Sequence, residues 1–317
     1  MRILVELPSW LGDTVMASAA IENIVEHFSD AEITLIGSFV SIEALKNHPK
    51  IFQSKVLHKD YLSLFRSIRA LGKFDNFLSF RGSLRSKVLK FLVLSHNKYQ
   101  FDRSRYTNLH QVEKYSQFVN DCLNINLSAK KLILYFKKSI NTYSKKSVVG
   151  INPGASYGDA KRWYSDEFAK VASKLASKYD IIIFGGTLEI DIASEIEESF
   201  KKNGIKNYKN LAGRTSINEL IEYISSLDLF ITGDSGPMHI AASFQVPTVS
   251  IFGPTRDNET SQWMNNYSVI VKKNLDCQPC MSRTCPLQHH NCMKLIKSIE
   301  VLNAVESLNL VNKGTIN

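Results

Sequence analysis

No run of apolar residues in this chain reaches the roughly 20 needed to cross a bilayer as a helix. A spanning helix is therefore excluded as an organising element. The opening stretch MRILVELPSWLGD also lacks the features of a secretory leader, because its apolar part is short and Glu6 interrupts it. These two absences predict a cytoplasmic protein. GxGxxG is missing after the first strand-like segment, which counts against a dinucleotide-dependent dehydrogenase. No fixed period marks a repeat array, and no nucleic-acid-binding motif is visible.

What is present is enough apolar material for two cores. The 317 residues are 44% hydrophobic, a length and composition that suit two domains of ordinary size. The formal net charge of +9 suits an anionic partner. A phosphorylated substrate or an anionic membrane surface fits, and nucleic acid ranks last. Composition alone favours a plainer reading, a basic surface with no specific partner.

Strand and helix patterns alternate along the chain. RILVEL (2–7), EITLIG (32–37), SKVLH (54–58) and DNFLSF (75–80) read as strands of a first half, and 110–123 closes it as a helix. A lysine-rich stretch at 128–147 holds one strand-like piece, Leu132 to Phe136, and a linker near 138–147. In the second half SVVGIN (147–152), DIIIFGG (180–186), LDLFITGDSG (227–236) and PTVSIFG (247–253) read as strands, and 165–179 as a helix capped by Ser165. The expectation is α/β: two doubly wound, Rossmann-like domains, residues 1–146 and 147–317. Ligands in such domains bind beyond the C-terminal ends of the strands, where every motif below lies.

In PSWLGD, Gly12 permits a tight turn and Asp13 falls at or just before the start of a helix expected from about Thr14 to Phe28. Asp13 is either an N-cap or a general base for a hydroxyl. Spacing alone favours the cap. In NPGASYGDAKRW (152–163), glycines, the Ser156 hydroxyl, Lys161 and Arg162 converge at one strand end, a pattern suited to phosphates. In FGGTLEID (184–191), Glu189 can bond ribose hydroxyls or simply favour a helix start. In TGDSGPMHIAAS (232–243), Asp234, Ser235 and Gly236 form a turn, and a helix starts near Pro237 with His239 in its first turn. The free N–H groups of that start suit a diphosphate. FGPTRDN (252–258) is another glycine-bearing strand end, whose role could be purely that of a turn.

Taken in order, PSWLGD, NPGASYGDAKRW, TGDSGPMH and CQPCMSRTCPLQHHNCM resemble the lipopolysaccharide heptosyltransferases, glycosyltransferase family nine. The resemblance spans nearly the whole chain, and residues 40–125 carry least of it. It implies a GT-B architecture, two Rossmann-like domains facing a central cleft. It implies inverting transfer from ADP-heptose to the first heptose of the lipid A–Kdo–heptose acceptor, with no metal and no cofactor. The acceptor places the enzyme at the inner face of the cytoplasmic membrane. By the same resemblance Asp13 is catalytic, and Ser156, Lys161, Glu189, Asp234, Ser235, Gly236, Pro237 and His239 hold the donor. Ser9, Trp10, Arg81 and Arg85 are the candidates for the acceptor. Metal-dependent sugar transferases commonly hold their cation with an Asp-x-Asp pair, and this chain has none. Cations and helix N-termini must then meet the diphosphate. The alternatives are a heptosyltransferase for another acceptor, a sugar-nucleotide epimerase of the same architecture, or a binding protein that has kept the fold without the chemistry.

Of five cysteines, Cys122 is isolated and Cys277, Cys280, Cys285 and Cys292 crowd together at C-x2-C-x4-C-x6-C. That spacing departs from the common zinc patterns, so reduced thiols or a structural role are expected before a metal.

Overall fold

The structure, a computed structural model, describes residues 1–58, 60–140 and 146–308. It divides into two compact units, Met1–Lys138 and Ser139–Asn317. Each is a parallel sheet with helices between its strands, as the alternating pattern predicts.

In the first unit, β1 (Arg2–Glu6), β2 (Glu32–Gly37), β3 (Ile51–Val56), β4 (Lys73–Ser79) and β5 (Leu94–Gln100) line up in the order β3-β2-β1-β4-β5. The helices are α1 (Leu11–His27), α2 (Phe39–Leu45), α3 (Tyr61–Arg69), α4 (Leu84–Leu92) and α5 (Gln111–Leu123). The order places β1 at the centre, and its register runs Ile3 to Ile33 on one side and Ile3 to Asn76 on the other. Parallel strands are covered on both faces, so Ile3, Leu4 and Val5 are fully buried, and RILVEL reads as a continuous apolar run for that reason.

In the second unit, β6 (Val148–Asn152), β7 (Asp180–Ile183), β8 (Tyr208–Asn210), β9 (Leu229–Gly233), β10 (Thr248–Phe252) and β11 (Ser268–Lys272) take the order β11-β10-β9-β6-β7-β8. The helices are α6 (Ser165–Leu175), α7 (Ile190–Lys202), α8 (Ile217–Ser225), α9 (Gly236–Ser243), α10 (Asp257–Thr260), α11 (Asn291–Lys294) and α12 (Ser298–Ser307). Strand order reverses between β6 and β9, whose C-terminal ends lie side by side. Such a switch point is where open α/β sheets bind ligands.

Several local expectations change. The helix expected from Thr14 begins at Leu11, with Trp10 as its N-cap, so Asp13 is its third residue and not a cap. Ser165 is the first residue of α6 and Tyr164 its cap, because the Ser165 hydroxyl is turned to Glu195 at 2.6 Å. That helix ends at Leu175, short of residue 179. The third strand runs from Ile51 to Val56 and not from 54 to 58. Leu132 to Phe136 forms no strand. It lies along the first unit, with Leu132 and Leu134 buried and the Ile133 N–H donating to Ser18. The expected linker includes residues 141–145, which lie outside the described residues. Before it, the Ser139 and Ile140 N–H groups already bond to the Glu222 carboxylate of α8.

One buried charge marks the end of β1. Glu6 is 1% exposed and accepts from Ser79 Oγ at 2.5 Å and Ser86 Oγ at 2.9 Å, with Arg81 Nη1 3.5 Å away. Burial raises its carboxyl above the ordinary 4.5, against the pull of those hydroxyls and of Arg81 and Arg85. Near that pH the folded state keeps a proton that the unfolded chain releases. Stability therefore falls as pH rises from 4.5 through the raised value, by at most about 1.4 kcal/mol per pH unit. Glu6→Gln should remove this slope. Thermal melts of both proteins across that window check it, and parallel pH profiles would show that Glu6 carries no such cost.

Candidate active site

Three C-terminal strand ends of the second unit, those of β6, β9 and β10, converge on one ion pair. The loop after β6 runs from Pro153 to Tyr164 and contains a short 3-10 turn, Asp159–Lys161. Lys161 Nζ meets Asp234 Oδ2 at 2.5 Å and lies 3.5 Å from the Asp234 carbonyl. Its ammonium also sits over the Tyr157 ring, 4.7 Å from the centroid. Both side chains are largely buried, 13% and 6% exposed, so neither charge tolerates loss of its partner. Asp234 Oδ2 accepts from a second donor, Thr255 Oγ1 at 2.6 Å, from the loop after β10. The segment FGPTRDN is thus more than a turn.

A second set of bonds holds the same loops. Asn152, buried at the end of β6, places its side-chain amide 3.2 Å from the Gly154 carbonyl, 3.4 Å from Thr232 Oγ1 and 3.3 Å from Ser235 Oγ. Thr232 and Ser235 hydroxyls lie 3.0 Å apart. Ser235 is the N-cap of α9, yet its side chain makes no capping bond. Gly236 and Pro237 open the helix; Pro237 has no N–H and the Met238 N–H donates to the Ser235 carbonyl at 3.2 Å, so what this start offers an anion is the Gly236 N–H and the positive end of the helix dipole. His239 is buried in this first turn, 3% exposed. Ser156 is exposed in its loop.

Glu189 ends a 3-10 turn after β7 and caps α7. Its Oε2 accepts from the Gly186 N–H at 2.7 Å. Its Oε1 is buried without a hydrogen bond, and Arg162 Nη2 is 3.8 Å away. The side chain passes directly under Gly154, where an added Cβ would meet Glu189 Cγ at 2.1 Å. Only glycine leaves that passage open.

The cysteine-rich segment braces the Lys161 loop. Arg283 O accepts from the Ala160 N–H at 3.0 Å, Met281 O from Tyr157 Oη at 2.7 Å, and Asp159 Oδ1 from Thr284 Oγ1 at 3.0 Å. His290 Nε2 lies 2.9 Å from the Ala160 carbonyl. Cys277, Cys280, Cys285, Cys292, His289 and His290 share a small cavity behind these contacts. The four cysteines are free thiols, and Cys292 is pushed up to about 11, first by burial and then by the other three. Among the described residues no three His, Cys, Asp or Glu side chains are placed to hold a metal ion.

In the first unit the strand ends present carboxylates. Asp13 is half-buried in the first turn of α1, and Tyr115 Oη of α5 donates to its Oδ1 at 3.5 Å. Burial, then the nearby Asp13 charge, holds the Tyr115 phenol well above its ordinary value, so it stays a neutral donor. Ser9 and Trp10 precede Asp13 in the same loop. The Ser9 carbonyl accepts from Ser38, and the Trp10 side chain is 51% exposed. Arg81 follows β4 and leans on Glu6, whereas the Arg85 guanidinium donates to the His58 carbonyl and stacks over Tyr61 at 5.6 Å. Tyr115, Glu6, Asn152 and Thr255 were not singled out as site residues from the sequence. Glu6 was visible as a lone acid in an apolar strand. The other three carry no local signal.

Residues 61–291 match the model of glycosyltransferase family 9 (heptosyltransferase). The chain is 43% identical to lipooligosaccharide heptosyltransferase 2 of Campylobacter jejuni, covering 97% of this chain and 98% of that one. It superposes on the structure of Escherichia coli ADP-heptose lps heptosyltransferase II with a TM-score of 0.82 at 21% identity, covering 98% and 99% of the two chains. An E. coli heptosyltransferase with ADP-2-deoxy-2-fluoro heptose gives 0.76 at 14%, over 97% and 99%. The two solved structures speak for the fold, and the two parallel-sheet domains are GT-B-like. With both the family match and the long, close relative in hand, this chain belongs to glycosyltransferase family 9, the heptosyltransferases, and is a glycosyltransferase.

Proposed function

We propose that the protein transfers heptose from ADP-L-glycero-beta-D-manno-heptose to the first heptose of the lipopolysaccharide inner core, with inversion and without a metal. The observation that carries this reading is the Lys161–Asp234–Thr255 cluster beside the uncapped start of α9. A lysine has three donors, and the Asp234 carboxylate and carbonyl engage part of that capacity. The remainder, with the Gly236 N–H and the positive end of α9, suits the diphosphate of a sugar nucleotide. Glu189 Oε1, buried without a donor, suits a ribose hydroxyl once the Gly154 loop admits it. The relatives' names supply the sugar and the acceptor class.

The step proceeds by displacement at the anomeric carbon. Asp13 takes the proton of an acceptor hydroxyl as its oxygen bonds that carbon. The bond from carbon to the diphosphate oxygen breaks, and ADP leaves. Lys161 and the α9 start meet the charge that grows on the leaving group. Tyr115, a neutral donor to Asp13, holds the carboxylate in place until the hydroxyl arrives. Asp234 and His239 orient the donor, and Arg81 and Arg85 offer charge to acceptor phosphates.

ADP release measured with inner-core acceptors bearing zero, one or two heptoses tests the reading. Release is expected with the one-heptose acceptor. Release only with the zero-heptose acceptor would reassign the protein to the first transfer, and release with donor alone would remove it from acceptor transfer. Asp13→Asn should lower kcat by roughly 100- to 10,000-fold and leave donor binding unchanged. Normal turnover of that variant takes Asp13 out of the mechanism. Lys161→Ala should weaken ADP-heptose binding by roughly ten- to a hundredfold, the worth of one charge-assisted hydrogen bond, as read by calorimetry. Unchanged donor affinity would sink the phosphate role.

A further inference from the structure

Two neighbouring helices of the first unit carry an apolar face that no core covers. Their inner sides are ordinary: Leu64 and Ile68 of α3 and Leu89 of α4 join Leu4, Ile36 and Phe77 in one buried cluster. Their outer sides are not. Leu62 is 75% exposed on α3, with Tyr61 and Phe65 beside it. On α4 Leu84 is 80% and Phe91 83% exposed, and Val88 lies between them at helical spacing, so the three form one outward stripe. Arg85 over the Tyr61 ring ties the two helices together. Single exposed apolar residues need no explanation, but a contiguous group of this kind marks a docking surface.

The charge around this face names the partner. Neither helix contains an acidic residue, and Arg66, Arg69, Arg85, Lys87 and Lys90 flank the apolar stripes. From residue 61 to residue 100 there are eight Lys and Arg and a single carboxylate, Asp75. The asymmetry extends to the whole unit. Met1–Lys138 holds 20 Lys and Arg against 12 Asp and Glu, whereas the rest of the chain holds 19 against 18. A second copy is a poor occupant, because symmetric pairing would set like charges against each other. A bilayer rich in anionic lipid satisfies both features at once. Its acyl boundary takes the Leu and Phe side chains, and its headgroup phosphates take the cations.

We propose that the outer face of α3 and α4 docks the protein on an anionic membrane surface. Leu62, Phe65, Leu84, Val88 and Phe91 enter the interface, and Arg66, Arg69, Lys87 and Lys90 meet lipid phosphates. For its purpose, bringing the enzyme to a lipid-linked acceptor, the inference rests on the proposed function. Its physics stands apart from it.

Flotation of the full chain with phosphatidylcholine vesicles carrying about one third phosphatidylglycerol is the test. The wild type should float with these vesicles at low salt, less at high salt, and not with pure phosphatidylcholine. Two double variants, Leu84→Ser with Phe91→Ser and Lys87→Glu with Lys90→Glu, should each partition at least about tenfold more weakly, since one surface cation alone is worth about fivefold. Their thermal melts and their ADP release with an acyl-free acceptor should match the wild type. Failure of the wild type to bind anionic vesicles, binding by both variants equal to wild type, or a wild-type dimer that the variants dissolve in sedimentation would each overturn the proposal. Vesicle binding by a protein that releases no ADP with any acceptor would keep the docking face and remove the proposed function.

Discussion

The ion pair between Lys161 and Asp234 organises the second unit's working end. The two residues lie 73 positions apart in the chain, and each would be a buried, uncompensated charge without the other. Their bond sets the loop after β6 against the turn after β9, and the Thr255 hydroxyl draws in the loop after β10. Three strand ends are thereby held around one ammonium that keeps donor capacity in hand. The cysteine-rich segment closes on the same loop from the other side, its Arg283 and Met281 carbonyls accepting from the Ala160 N–H and the Tyr157 hydroxyl. Its thiols belong to the scaffold of the lysine. With the Cys292 thiol held near 11, that residue stays protonated and unreactive at neutral pH.

The first unit solves a different problem with the same architecture. It must present one carboxylate and hide another. Asp13 rides on the first turn of α1, half-buried, with a phenol from α5 directed at it. Glu6, seven residues earlier, is sealed under Ser79, Ser86 and Arg81 and resists ionisation. Arg81 is consequently committed in part to an internal partner, which tempers its availability to an acceptor phosphate. Arg66, Lys87 and Lys90 of α3 and α4 lie beside exposed apolar side chains, and they serve a surface more readily than a pocket.

Much of this architecture is legible in the sequence. Buried parallel strands write themselves as unbroken apolar runs, so β1, β7, β9 and β10 fall where RILVEL, DIIIFGG, LDLFITGDSG and PTVSIFG place them. Helix starts were less legible. Asp13 and Ser165 both have the chemistry of an N-cap, but in each case the chain enters the helix earlier and the side chain finds a different partner. The piece from Leu132 to Phe136 has strand composition without a strand, because its apolar side chains are buried against the unit while its backbone pairs with no ladder. Capping and ladder pairing depend on what lies alongside, which local composition does not encode.

By itself the sequence determined the two α/β domains, the strand-end loops, and the residue types able to meet a diphosphate. These follow from periodicity and from glycines, hydroxyls and cations placed within a few residues of one another. Only the tertiary structure decided that Lys161 answers to Asp234 and Thr255, that Glu189 runs beneath Gly154, that Tyr115 attends Asp13, and that α3 and α4 turn Leu and Phe side chains outward. Each of these is a contact between segments distant in the chain, or an exposure set by how neighbouring elements pack. Buried charges and bare apolar faces acquire their meaning from such neighbours.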